Sequence, residues 1–134
     1  MDPAPNIAAP SPESKNTAPS AFDRGQICEQ WVVEYLEHKN LKILGRRLKI
    51  FGVEIDVIAR NSCGVLVLVE VKSLQRGEWL ENRLSLRQLQ RLRRVAQALA
   101  EGVPWLGSQG PREVELWLAL VGETKASVQV FFDL

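Results

Sequence analysis

The chain is poor in the residues on which several common chemistries depend. Its 134 residues include one histidine, His38, and two cysteines, Cys28 and Cys63. His38 stands beside Lys39 and Asn40 near the end of a predicted helix and reads as a solvated surface residue, which leaves no His-based triad or zinc site. The cysteines have no metal-ligand spacing and make no disulfide framework. Both are expected as reduced thiols, buried or partly buried, in a reducing cytoplasm. No basic segment followed by an apolar one opens the chain, as a secretory signal would need. No apolar run approaches the roughly 20 residues of a membrane span. The expectation is a soluble, cytoplasmic protein with no membrane partner.

An excess of charge of one sign is also missing. The formal net charge is +1, with 25% charged and 46% hydrophobic residues, an ordinary balance for one globular domain with a packed core. The charge is unevenly spread, however. Lys42, Arg46, Arg47 and Lys49 crowd residues 42–50 without an acid, and arginines 76, 83, 87, 91, 93 and 94 outweigh Glu78 and Glu81 in the next basic stretch. Residues 95–134 are acidic, with Arg112 and Lys125 against Glu101, Glu113, Glu115, Glu123 and Asp133. A basic middle on a nearly neutral chain suits a surface that faces a polyanion, although solvated faces of this kind also occur without any partner.

Residues 1–21 hold five of the seven prolines and no hydrophobic block, which reads as a disordered tail. The fold is expected over 22–134. Asp23 with Gln26 resembles a capping box, with Phe22 placed to staple onto Ile27, and a helix follows to about Lys39. On a helical wheel Trp31, Tyr35, Cys28, Val32, Leu36 and Val33 make one apolar arc. Glu29 falls inside that arc, where a carboxylate is costly unless a partner such as an arginine compensates it. Residues 41–50 read as a strand, and GVEIDVIAR (52–60) alternates, with Val53, Ile55 and Val57 opposed to Glu54, Asp56 and Ile58. The turn residues Asn61, Ser62, Cys63 and Gly64 join it to a strand over 65–73, so the two should form a hairpin. Residues 74–84 look irregular. Ser85 with Gln88 repeats the capping pattern for a helix to about Glu101, ended by Gly102 and Pro104. Strands over 112–121 and 126–132, joined by a GETK turn, complete the order α-β-β-β-α-β-β, an α/β fold with a mixed sheet flanked by helices.

One stretch carries chemistry. Val65 to Val69 form an unbroken apolar run of the kind buried in mid-sheet, and then Glu70 and Lys72 follow on one face of the strand. The hairpin register sets Asp56 opposite Glu70 or one residue away. Two carboxylates so placed repel unless one is protonated or a cation lies between them. Hard oxygen ligands of this type suit Mg²⁺ or Mn²⁺. Such an ion polarises a phosphodiester and acidifies bound water, with Lys72 beside it to hold or activate the nucleophile.

The motifs GQICEQWVVEYL in the first helix, GVEIDVIAR in the second strand, VLVEVKS in the third and LSLRQLQRLRRVAQALA in the second helix resemble a known family. They are similar to the YraN-like family of small bacterial proteins, related to Holliday-junction resolvases within the PD-(D/E)XK nuclease superfamily. The resemblance covers about residues 25–132 and implies a restriction-endonuclease-like core. It carries over Glu29, Asp56, Glu70 and Lys72 as the active-site set, with Asp56 and Glu70 as metal ligands and Glu54 in a supporting or second-metal role. Val53 separates Gly52 from Glu54, where relatives have glycine directly before the glutamate. Ser73 and Leu74 replace a basic residue, and Gln88 stands where relatives tend to carry lysine.

Gln88 shares the apolar arc of its helix with Leu92, Val95 and Leu99 and so faces the sheet, within reach of a site water or phosphate. Beside it Arg87, Arg91 and Arg94 form a stripe suited to phosphate contacts, or equally to an exposed, soluble helix face. Trp79 and Trp105 offer rings for base stacking, while Trp117, in a strand, is expected in the core. The function expected is that of a nucleic-acid-binding protein, specifically a Mg²⁺-dependent (or Mn²⁺-dependent) DNA endonuclease acting on branched or structured DNA. The alternative is a non-catalytic nucleic-acid-binding or protein-interaction module in a DNA repair or uptake complex that retains the nuclease fold. Resolution of a symmetric junction would call for a homodimer with two-fold symmetry.

Overall fold

A computed structural model describes residues 21–74, 86–105, 107 and 110–132. Of the proposed tail over 1–21, residues 1–20 lie outside the described residues, as do the irregular segment after Leu74, Trp79 and the cap residue Ser85; Ala21 belongs to the first helix. In chain order the elements are α1 (Ala21–His38), β1 (Lys42–Ile50), β2 (Val53–Arg60), β3 (Leu66–Ser73), α2 (Leu86–Ala100), β4 (Val114–Val121), a 3₁₀ turn (Lys125–Ser127) and β5 (Val128–Phe131). This is the α-β-β-β-α-β-β order expected from the sequence. The strands form one mixed sheet in the spatial order β1-β2-β3-β4-β5, antiparallel except for β3 and β4. A parallel pair needs a long crossover connection, and α2 lies within it.

The sheet separates two apolar layers. On one side Cys28, Val32, Val33 and Leu36 of α1 pack on Val57, Ala59, Val67, Val69, Ala119 and Val121. On the other, Leu92, Val95 and Leu99 of α2 pack on Ile58, Leu66, Leu68 and Leu116. β3 is buried on both faces because it is central, which accounts for its unbroken apolar run. Trp117 is in the α1-side core and meets Phe132 edge to face at 4.6 Å. Trp105 packs against the α2-side core.

Both helices end in the same way. Asn40, at φ 68°, takes the left-handed position after α1. Its N–H donates to Glu37 O, and that of Leu41 donates to Leu36 O. These two bonds make a Schellman cap, and buried Leu41 packs with Leu36 in the same core. Gly102 ends α2 likewise, at φ 107° with Gly102 N–H to Leu99 O and Val103 N–H to Ala98 O. Glycine is required at 102, since an added Cβ would lie 2.9 Å from the Gly110 carbonyl carbon.

Several local expectations are corrected. α1 begins at Ala21, so Asp23 lies in its first turn and not at its N-cap. Cys28 is buried but Cys63 is exposed in the β2–β3 turn. The last strand is shortened because residues 125–127 take the 3₁₀ turn. Strict alternation in β2 also fails: Val53 and Ile55 pack on the α2 side, whereas Val57 packs on the α1 side. The break lies opposite an irregular part of β1, where the register shifts between Ile43 and Gly45 and Arg47 has φ 52°. Bulged strands bend and re-aim their side chains in this way.

Candidate active site

The β2–β3 hairpin sets the geometry, and Asn61 sets the hairpin. Its Oδ1 accepts the N–H groups of Cys63 and Val65, both at 2.9 Å, while Asn61 N–H donates to Val65 O at 3.0 Å. An asparagine that folds its own turn in this manner fixes loop length, and loop length fixes register. The pairs Arg60↔Leu66, Ala59↔Val67, Ile58↔Leu68 and Val57↔Val69 follow. One step further in that register, Asp56 meets Glu70. Here the ladder ends, and the Asp56 carboxylate takes over: its Oδ2 accepts the backbone N–H of Val71 at 2.7 Å.

The two strands part at this point into a cleft of about 380 Å³. It is lined by Gly52, Val53, Glu54 and Asp56 from β2 and its turn, by Glu70, Val71 and Lys72 from β3, and by Gln88, Arg91 and Leu92 from α2. The structure thus brings Glu54, Asp56, Glu70, Lys72, Gln88 and Arg91 together. Arg87 and Arg94 are exposed on α2 but do not line the cleft.

Glu70 is the focus of the site. Only 5% of it is exposed. Lys72 Nζ lies 3.4 Å from its Oε2, and Gln88 Nε2 donates to the same oxygen. Burial first, and then the neighbouring Asp56 charge, push its carboxyl up to about 7 against the opposing pull of Lys72. Asp56 is raised too, chiefly by burial, while the Val71 N–H bond works the other way. The interaction of the two carboxyls lowers Asp56 and raises Glu70. One proton shared between two such acids belongs to the pair.

Glu29 is 7% exposed but does not line the cleft. Arg47 Nε donates to both of its oxygens, at 3.0 and 3.1 Å, and Arg46 Nη2 lies 3.6 Å away. Its charge still reaches the site, because it helps to raise Asp56. Arg47 was not singled out from sequence as this partner. The available signal was an inward glutamate on α1 followed by two adjacent arginines on the next strand.

Two carboxyls driven towards protonation by burial and by neighbouring carboxylate charge are a fitting donor set for a hard dication, which would relieve both effects. Among the described residues no group of three or more Asp, Glu, His or Cys converges. Mg²⁺ commonly takes only one or two protein carboxylates and completes its shell with water or substrate phosphate oxygens. Asp56 and Glu70 therefore suffice in number.

An α/β domain with a carboxylate–carboxylate–lysine cleft where two central strands part is the class that fold and site define. Residues 28–123 match the family described as "Uncharacterised protein family UPF0102", and the chain belongs to that family. This is the YraN family that the sequence motifs resemble. A UPF0102 protein of Synechococcus sp. (strain JA-3-3Ab) is 33% identical over 109 residues, 79% of this chain and 73% of the relative. A UPF0102 protein of Ralstonia nicotianae is 30% identical over 63 residues, 47% of this chain and 48% of the relative. Among solved structures, a repair endonuclease from Pyrococcus abyssi aligns with a TM-score of 0.46 at 15% identity. That alignment covers 82% of this chain and 42% of the endonuclease, so the chain spans less than half of that protein's length. No described helix is long and apolar enough to cross a membrane.

Proposed function

We propose that this protein is a metal-dependent nuclease that hydrolyses phosphodiester bonds in branched or structured DNA. The observation that carries the reading is the convergence of Asp56, Glu70 and Lys72 in an open cleft, with Glu70 raised to about 7. Asp56 and Glu70 would hold Mg²⁺ or Mn²⁺. When bound, that ion supplies charge neutralisation at the scissile phosphate and acidifies water. Lys72 orients the nucleophile and balances developing negative charge. Gln88, tied to Glu70, holds that carboxylate in place. Arg91 on the α2 wall contacts the backbone phosphate, and Arg87 and Arg94 extend that contact along the helix. Glu54 supports the site from β2, and Glu29 acts from outside the cleft through its charge on Asp56.

The test is a cleavage assay on branched, flapped, single-stranded and duplex DNAs with Mg²⁺ and with Mn²⁺. Cleavage should need the metal and should fall on the order of 100-fold or more in Asp56→Asn, Glu70→Gln and Lys72→Ala. Metal-dependent cleavage that persists in Glu70→Gln would assign the activity to another site. A second reading, a non-catalytic nucleic-acid-binding module that keeps the fold, is favoured by the short donor set: among the described residues no three acids converge, and Glu70 is already engaged by Lys72 and Gln88. Retained DNA binding without cleavage of any of these DNAs would select it. A homodimer and a cytoplasmic location accord with either reading.

A further inference from the structure

The tip of the β1–β2 hairpin is built against the preference of its own turn. The ladder closes at Ile50↔Val53, leaving Phe51 and Gly52 as a two-residue loop. Both residues have positive φ, 53° and 79°. Loops of this type need left-handed backbone at both positions, so Asn-Gly and Gly-Gly dominate them. Gly52 meets that need without steric cost. A bulky residue such as Phe51 is strained there, and among the described residues the ring gains no core packing in return. It is 56% exposed and belongs to neither apolar cluster. Backbone strain that the fold does not reward is a pointer to function.

The position of the loop supplies a reason. Gly52, Val53 and Glu54, the three residues that follow Phe51, line the cleft that holds Asp56, Glu70, Lys72 and Arg91. Phe51 therefore adjoins the wall of that cleft in the chain, with its ring exposed at the tip of the hairpin. Exposed Lys49 precedes it on the same hairpin, and Arg91 stands on the α2 wall. Aromatic rings beside a cationic track that follows a phosphate backbone are the working parts of single-strand recognition.

We infer that Phe51 is a base-stacking residue, on which an unpaired nucleobase rests when the adjoining phosphate lies in the cleft. The inference rests on the nucleic-acid reading above and sharpens its substrate class. The preferred substrate has an unpaired base next to the bound phosphodiester, as at a flap, a branch point or in a single strand, in contrast to a continuous duplex. Every base has a π-face, so Phe51 selects for strand structure and not for sequence.

The experiment measures binding in EDTA by the full-length protein, where no cleavage competes. Three fluorescently labelled DNAs of one sequence are compared: a continuous duplex, a duplex with a single-stranded flap, and the same flap with abasic positions at the junction. The wild type should bind the flap about 10-fold more tightly than its abasic form, within the roughly 5- to 150-fold that one stacked base contributes. Phe51→Trp should keep that ratio. Phe51→Leu and Phe51→Asn should bring it to about one while leaving affinity for the abasic DNA unchanged. Phe51→Asn suits the turn and should melt no lower than the wild type, so a lost ratio cannot be ascribed to unfolding. A ratio near one in the wild type, or one unchanged in Phe51→Asn, with salt-dependent binding intact, overturns the role of Phe51 and leaves the nucleic-acid reading standing. Failure to bind any of the three DNAs overturns both.

Discussion

Asp56 and Val71 are joined across the β2–β3 pair, the Val71 N–H donating to Asp56 Oδ2 at 2.7 Å. The bond stands in for the ladder just where that ladder ends at Val57↔Val69. A half-buried N–H is thereby satisfied, and the strands can part without an orphan donor. The side chain that replaces the ladder is thus also one of the carboxylates that line the cleft.

The raised carboxyl of Glu70 makes stability depend on pH. Glu70 rises from an ordinary 4.5 to about 7 in the fold, so the folded state binds the Glu70 proton more tightly than the unfolded chain does. The associated stability is complete below about pH 4.5 and is lost as pH climbs through about 7. The loss is on the order of 3–4 kcal/mol, since each pKa unit corresponds to about 1.4 kcal/mol. Urea unfolding in EDTA between pH 5 and 8 should show the wild type weakening relative to Glu70→Gln, which has no proton to lose. Parallel curves for the two proteins across that window would mean that Glu70 is ionised throughout.

The Glu29–Arg47 pair is expected to matter more to the fold than an exposed ion pair would. Glu29 is buried and held by both oxygens, so removing its partner leaves a charge with little solvent. Arg47→Ala should cost about 3 kcal/mol, and Glu29→Gln less. The double variant should cost clearly less than the sum of the two, because the stranded charge is gone. Additive losses in chemical denaturation would show that the pair is not coupled.

How far the sequence revealed this arrangement depended on whether the signal was local. The apolar run ending in Glu70 and Lys72 marked a central strand that stops at a site. The turn residues 61–64 marked a hairpin that set Asp56 opposite Glu70 or one residue away, and the Asn61 hydrogen bonds fix which. Gln88 was placed towards the sheet by the period of its helix alone. What stayed hidden was non-local or conformational. Arg47 reaches Glu29 from a left-handed position in mid-strand that no glycine announces. The same irregular region interrupts the alternation of β2, which a two-residue period cannot anticipate. The exposed ring of Phe51 looks, as a sequence, like one more apolar residue at the end of a strand.

Salt dependence tests the arginine stripe separately from the chemistry. If Arg87, Arg91 and Arg94 each neutralise a phosphate, log affinity for DNA should fall steeply with log salt. Each alanine substitution should then flatten that slope by about one unit. Arg91→Ala should also reduce cleavage, since Arg91 alone of the three lines the cleft. An unchanged slope in the triple variant would return the stripe to ordinary solvated surface.

Asp56→Asn separates a metal ligand from a structural residue. Asparagine keeps an oxygen able to accept the Val71 N–H, so the bond that replaces the ladder survives. What disappears is a charge beside Glu70 that burial and Glu29 both disfavour. Neutralising it should relieve on the order of 1 kcal/mol of repulsion in the metal-free protein, and the variant should melt at or a few degrees above the wild type in EDTA. Mn²⁺ binds only the folded state and should raise the wild-type melting temperature, but should do little for a variant that has lost one of two ligands. Four melting curves, each protein with and without Mn²⁺, decide the matter. If Asp56→Asn melts well below the wild type in EDTA and neither protein responds to Mn²⁺, the Asp56 charge stabilises the fold and holds no metal. The cleft would then lack the ligand on which the nuclease reading depends.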